Sequence, residues 1–202
     1  MMFSREIAKG RGPIRIFIGG IHGKEGLTTI NLIKQLKDDD VDDGKLLLYN
    51  CPESKYLSTL DPLYYQSLMG EKILKIINTY KPTIYVELHC YKPDSYLKLI
   101  DLDRKKRVGV PPLIELAHGV LISSVAPYLR TKVFKRDDVC ITLEMPCRPT
   151  EKSTQIYLDV MKAIAGSSNR KELEDKLKIN YPSQVKTAQR YAAEFFGEYP
   201  AF

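Results

Sequence analysis

The sequence predicts an α/β protein, a three-layer α/β/α sandwich around a central mixed β-sheet. Two patterns carry this expectation. Short apolar, strand-like runs alternate with amphipathic helical stretches along most of the chain, and a hairpin pattern late in the chain breaks the alternation, which argues against a purely parallel sheet. The chain has 202 residues, 44% hydrophobic and 28% charged. A chain of this length buries on the order of 70% of its unfolded surface, so no staple is needed to fold it. The composition excludes wholesale disorder, and no apolar run approaches the ~20 residues of a membrane span.

The elements follow in order. Residues 14–18 (IRIFI) read as a buried strand that ends in the glycine-rich turn 19–26 (GGIHGKEG). Residues 28–37 place Ile30, Leu32, Ile33 and Leu36 at roughly helical spacing, and the acidic run 38–43 makes a surface loop. A second strand spans 45–49 (KLLLY), followed by a polar loop with Pro52 and Pro62. Residues 64–80 form a helix with Leu68, Ile73, Leu74, Ile76 and Ile77 on its inner face. A third strand covers 83–88 (TIYVEL), and a fourth covers 96–100. Residues 113–116 and 120–124 flank Ala117-His118-Gly119 as a hairpin, with His118 in a turn that tolerates left-handed backbone. A further strand occupies 139–143 (VCITL), and helices take 150–165, 169–178 and 183–196. One domain over residues 1–202 is the simpler reading, with 167–202 open to reading as a C-terminal helical appendage. Residues 1–12 carry charges but no apolar h-region, so no secretory signal and a cytoplasmic location are expected.

The formal charge of +6 comes from 31 basic residues against 25 acidic ones. That is a mild excess spread along the chain. The basic clusters 104–107 (RKKR) and 132–136 lack the interleaved aromatics of a single-strand platform, so they read as solvated surface and no nucleic-acid partner is expected. Cys51, Cys90, Cys140 and Cys147 show no CxxC spacing and read as free thiols rather than as a disulfide framework or zinc knuckle.

Chemistry collects at three strand ends, where ligand sites of open α/β sheets lie. Strand 14–18 runs into the glycine-rich turn, strand 83–88 into His89-Cys90-Tyr91, and strand 139–143 into Glu144-Met145-Pro146. The turn is not a phosphate loop, because Ile18 and Glu25 stand where a P-loop needs Gly and Ser or Thr. The spacing of Gly20, Gly23 and Gly26 also misses GxGxxG. What remains is His22 and Glu25, three apart, able to aim an imidazole and a carboxylate at one centre. His89 from a second strand end completes a His₂Glu set, the open arrangement of catalytic zinc with one Zn²⁺ per chain. Hydrolysis on such a metal needs a general base, and Glu144 is the candidate. Taken singly, each residue has an ordinary explanation: a surface His–Glu pair, a satisfied strand-edge histidine, a salt-bridged carboxylate. Their common placement at strand ends favours the metal site.

At these residues the sequence resembles the zinc carboxypeptidase superfamily, closest to its succinylglutamate desuccinylase/aspartoacylase branch or to small archaeal relatives of it. GGIHGKEG is similar to that branch's His-Gly-x-Glu motif, and Asn50-Cys51-Pro52 to its Asn-Pro after the second strand. Glu87 to Tyr91 (ELHCY) is similar to the D-x-H motif with Glu87 in place of Asp, and Thr142 to Pro146 (TLEMP) to the catalytic glutamate strand. The resemblance implies a mixed sheet of about eight strands, with His22, Glu25 and His89 as zinc ligands and Glu144 as base. It also implies an amidohydrolase or carboxypeptidase-like activity on an amide bond of a small acylated amino acid or peptide terminus. The branch holds its substrate carboxylate with arginine, and residues 55–61 (KYLSTLD) contain none. Lys55, Tyr91 and an arginine from another loop (Arg107, Arg136 or Arg148) are therefore the substrate-binding candidates, and a non-catalytic metal- or ligand-binding relative is the alternative function.

Overall fold

The computed structural model describes residues 2–202. Seven strands, β1 (Phe3–Lys9), β2 (Ile14–Gly19), β3 (Gly44–Asn50), β4 (Ile84–Tyr91), β5 (Ile114–Ala117), β6 (Val120–Ser124) and β7 (Val139–Pro146), form one sheet in the order β1-β3-β2-β4-β7-β6-β5. The inner strands β3, β2, β4 and β7 are parallel. β1 runs antiparallel on one edge, and the β5–β6 hairpin runs antiparallel on the other. The sheet is mixed, as the hairpin pattern predicts.

Side-chain alternation distributes the core between two faces. Phe17, Leu46, Leu48, Val86, Leu88 and Leu143 pack on one face against α1 (Gly26–Ile33), α5 (Glu151–Ala165), α6 (Arg170–Asn180) and α7 (Pro182–Phe196). Ile16, Ile18, Leu47, Tyr85 and Cys140 pack on the other against α2 (Leu68–Tyr80) and the turn that precedes it. The result is the three-layer arrangement. No helix among the described residues is long and apolar enough to cross a membrane.

Four expectations change. The sheet has seven strands, not eight. β1 is a strand where none is expected: its pattern is mostly polar because only Ile7 turns into the core, and it is recruited by pairing along β3 from Phe3↔Asn50 to Lys9↔Gly44. Residues 96–100 are a helix, α3 (Tyr96–Ile100), not a strand. Tyr96, Leu99 and Ile100, at i, i+3 and i+4, pack on Tyr91, Leu113 and Leu121 while Leu97 is left exposed. The reading of all four cysteines as free thiols also fails, since Cys90 and Cys147 form a disulfide with Cα atoms 4.8 Å apart. Parallel pairing of β4 with β7 sets these residues side by side across 57 positions of sequence, a proximity that local spacing does not show. Cys51 and Cys140 are free.

Candidate metal centre

The turn after β2 is shaped by its glycines. Gly20 has φ +68°, and a Cβ at Gly20 or at Gly26 would collide with the carbonyl oxygen of Cys51. The turn therefore lies directly against the segment that leaves β3, held by the amide of Cys51 donating to the Gly19 carbonyl (3.0 Å) and that of Ser54 to Gly23 (2.9 Å). Buried Asn50 fastens the start of α1: its Nδ2 donates to the Gly26 carbonyl (3.0 Å), and its Oδ1 accepts from Thr29 Oγ1 (2.6 Å). Tyr64 Oη donates to the Ile21 carbonyl (3.0 Å). These bonds fix the backbone on both sides of His22 and Glu25.

His89 and Glu144 lie inside their strands rather than beyond them, directly opposite each other in the β4–β7 register. Both share the sheet face of Tyr85 and Cys140, above the C-terminal ends of the parallel strands. His89 Nδ1–H donates to Glu25 Oε2 at 3.0 Å. Its Nε2 lies 3.6 Å from Glu87 Oε2, and Glu87 Oε1 accepts from the Tyr85 hydroxyl at 3.1 Å. The His22 and His89 rings lie 4.8 Å apart, centroid to centroid. His22 Nδ1 is 3.3 Å from Glu25 Oε1, yet the angles are not those of a hydrogen bond and the nitrogen is buried without a partner. One ligand atom from each of His22, Glu25 and His89 falls within 4.8 Å of the others.

This donor set fits a divalent cation of the zinc type, two imidazoles and a carboxylate with one buried nitrogen lone pair unused. The electrostatics agree. Burial, and then the neighbouring His89, depress His22 to about 3, so it stays neutral and free to ligate. Burial alone would lower His89 too, but the Glu25, Glu87 and Glu144 carboxylates hold it well above its ordinary value. Burial raises Glu25, an effect that His89 partly offsets. Burial also raises Glu144, to about 7, against the opposing pull of His89 and Arg104.

A cavity of about 180 Å³ opens on this cluster, lined by His22, His89, Glu144 and Arg104 among others, with Tyr56 edge-on to His22. Arg104 belongs to α4 (Arg104–Val108); its Nη1 donates to the Pro111 carbonyl at 2.7 Å. The fold thus brings His22, Glu25, His89 and Glu144 together. It leaves Lys55, Tyr91 and Arg107 outside the cavity lining. Lys55 is exposed, the Tyr91 hydroxyl is spent on the Gly119 carbonyl (2.6 Å), and Arg107 pairs with Asp101 at the surface. Arg136 and Arg148 are exposed and also absent from the lining. Arg104 is the arginine that reaches the cavity. It belongs to the RKKR run expected to be solvated surface, whose one inward side chain carries no local signal. His118 has φ +49° in the hairpin turn, as expected for a turn residue.

Solved structures similar to this chain include a succinylglutamate desuccinylase/aspartoacylase from Rhodobacter sphaeroides (11% identity, 88% of this chain and 58% of that one, TM-score 0.40). They also include a metallo-carboxypeptidase from Pseudomonas aeruginosa (13% identity, 80% of this chain and 59% of that one, TM-score 0.45). This chain therefore spans less than three-fifths of those proteins. A protein of Methanocaldococcus jannaschii, MJ0501, is 38% identical over 192 residues covering 93% of each chain. Residues 10–197 match the family described as "Uncharacterized protein conserved in archaea (DUF2119)", and the chain belongs to that family.

Proposed function

We propose that this protein is a zinc-dependent amidohydrolase that cleaves an amide bond in a small acylated amino acid or at a peptide terminus. The observation that carries the reading is the convergence of His22, Glu25 and His89 on one point, with Glu144 directly across the strand pair from His89. His22, Glu25 and His89 would hold the ion. Bound zinc supplies an acidified water and a polarised carbonyl. The Glu144 carboxylate takes the proton from the attacking water and returns it to the leaving nitrogen. Its raised affinity for that proton suits a group that must carry it between two steps. Glu87, itself bonded by the Tyr85 hydroxyl, faces Nε2 of the His89 ring and would fix the ring's orientation for holding the ion. Arg104 places a cation beside Glu144 and offers its guanidinium to an anionic group of the substrate.

Metal analysis of protein purified without chelator tests the site. Wild type should carry about one zinc per chain, and His22→Ala and His89→Ala should lose it; equal metal in all three overturns the proposal. Glu144→Gln should keep the metal and lose about 10²–10⁴-fold in turnover on an acyl-amino-acid and peptide panel. Undiminished turnover in that variant removes Glu144 from the chemistry.

A further inference from the structure

The cavity does not end at the ligand cluster. β5 pairs with β6 only as far as Ile114↔Ile122, so Ser123 and Ser124 are paired to β7 alone. Pro111 and Pro112, without backbone N–H groups, occupy the stretch just ahead of β5. The sheet edge is left unpaired there, and the cavity lining comes from both of its faces. Thr142 and Ser123 share the face of Glu144, whereas Ser124 belongs to the face that carries α7. Ser124 Oγ is buried in this passage with no hydrogen-bond partner among the described residues. Beyond it the wall is apolar. α7 contributes Ala188, Ala192 and Phe196, with Tyr191 and no charged side chain, and Phe202 lines the same end.

Ala188 and Ala192 stand one helical turn apart, and both are buried. Larger residues at either position would occupy the space that their small side chains leave open. The whole cavity, its polar end included, is about 180 Å³, against the roughly 150 Å³ that holds a benzene ring alone, so the part beyond the edge accommodates one short alkyl group, not a long chain.

We propose that the substrate carries a short apolar alkyl group, which passes the Ser123–Ser124 edge and seats against Ala188, Ala192 and Phe202 while the amide lies at Glu144. The substrate class is then an amide of a small amino acid bearing an apolar acyl group or side chain. The amide end of this assignment rests on the amidohydrolase reading, but the apolar seat is open to test without turnover.

The test is a calorimetric titration of the purified protein with acetate, butyrate and hexanoate, with succinate as an acidic control. Full burial of a methylene strengthens binding about fourfold, so affinity should rise at least tenfold from acetate to hexanoate and should not rise for succinate. Ala192→Phe fills the seat and should flatten the series while leaving the acetate affinity and metal content unchanged. Ala192→Leu serves in its place if the larger residue prevents folding. A flat series in wild type, or a rising one that neither variant flattens, overturns the seat. A rising series in protein that holds no metal and turns over no amide would uphold the seat while removing the hydrolase reading. Metal and turnover with a flat series would do the reverse.

Discussion

His89 stands among three carboxylates, Glu25, Glu87 and Glu144, which together hold its proton well above the ordinary imidazole range. The protonated ring would have to lose a proton to ligate a cation, so zinc loading near pH 7 should release at least one proton per ion. Titration in two buffers of different ionisation enthalpy measures this release, and a buffer-independent binding heat would contradict the charge assignment. Glu144 has a consequence for the metal-free fold as well. Its folded value, about 7, lies above the ordinary carboxylate value of 4.5. Its contribution to stability is therefore fully present below about pH 4.5 and is lost as pH rises through about 7. Compared with Glu144→Gln, metal-free wild type should lose on the order of 1–2 kcal/mol between these limits, allowing for water in the cavity. Parallel denaturant curves at pH 4.5 and 8 should show this difference; identical pH dependence in the two proteins would deny Glu144 its raised value. Of these residues, His22 and Glu25 are readable because three positions of a tight turn suffice to bring them together. Arg104 is not, because its inward direction is set by the fold of the chain beyond it, which brings the Pro111 carbonyl to its guanidinium.

At the scale of elements, the readable strands are those whose apolar run is nearly continuous, such as IRIFI in β2 and TIYVEL in β4, where burial on both faces suppresses alternation. Strand lengths are less readable. His89 and Glu144 continue the ladder past the apolar run because β4 and β7 pair through Tyr91↔Pro146, and polar character alone makes them look like loop. β1 and α3 fail for complementary reasons, one a polar edge held by tertiary pairing, the other five residues too few to show a period. The disulfide closes the end of that same β4–β7 ladder, beside His89 and three residues from Glu144. By the chain-entropy model, a loop with a sequence separation of 57 contributes about 4 kcal/mol. Cys147→Ala, or reduction of wild type, should lower stability by up to that amount, read as a fall in the urea midpoint with a steeper slope, because the unlinked unfolded chain exposes more surface. A midpoint insensitive to both would mean that the bridge contributes nothing to the fold.

For the molecule as a whole, the proposed ion ties the turn after β2 to β4, and its base sits on β7, three neighbouring strands at the centre of the sheet. The core on the α7 face runs without interruption from Ile7 of β1 through Leu173 and Leu177 of α6 to Val185 of α7. On that basis we read residues 167–202 as part of one cooperative unit rather than as a separate appendage. Zinc binding then stabilises the entire fold, by about 2.7 kcal/mol at a free concentration 100 times Kd. For a chain of this size each kcal/mol moves the melting temperature by about 2–4 °C, so the shift should be about 5–11 °C. Calorimetry should show a single transition, with calorimetric and van't Hoff enthalpies in agreement, that moves as a unit when zinc is added. If the C-terminal helices fold independently, a second transition indifferent to zinc will remain in place. If His22→Ala shifts as far as wild type, the stabilising ion binds somewhere other than between β2 and β4.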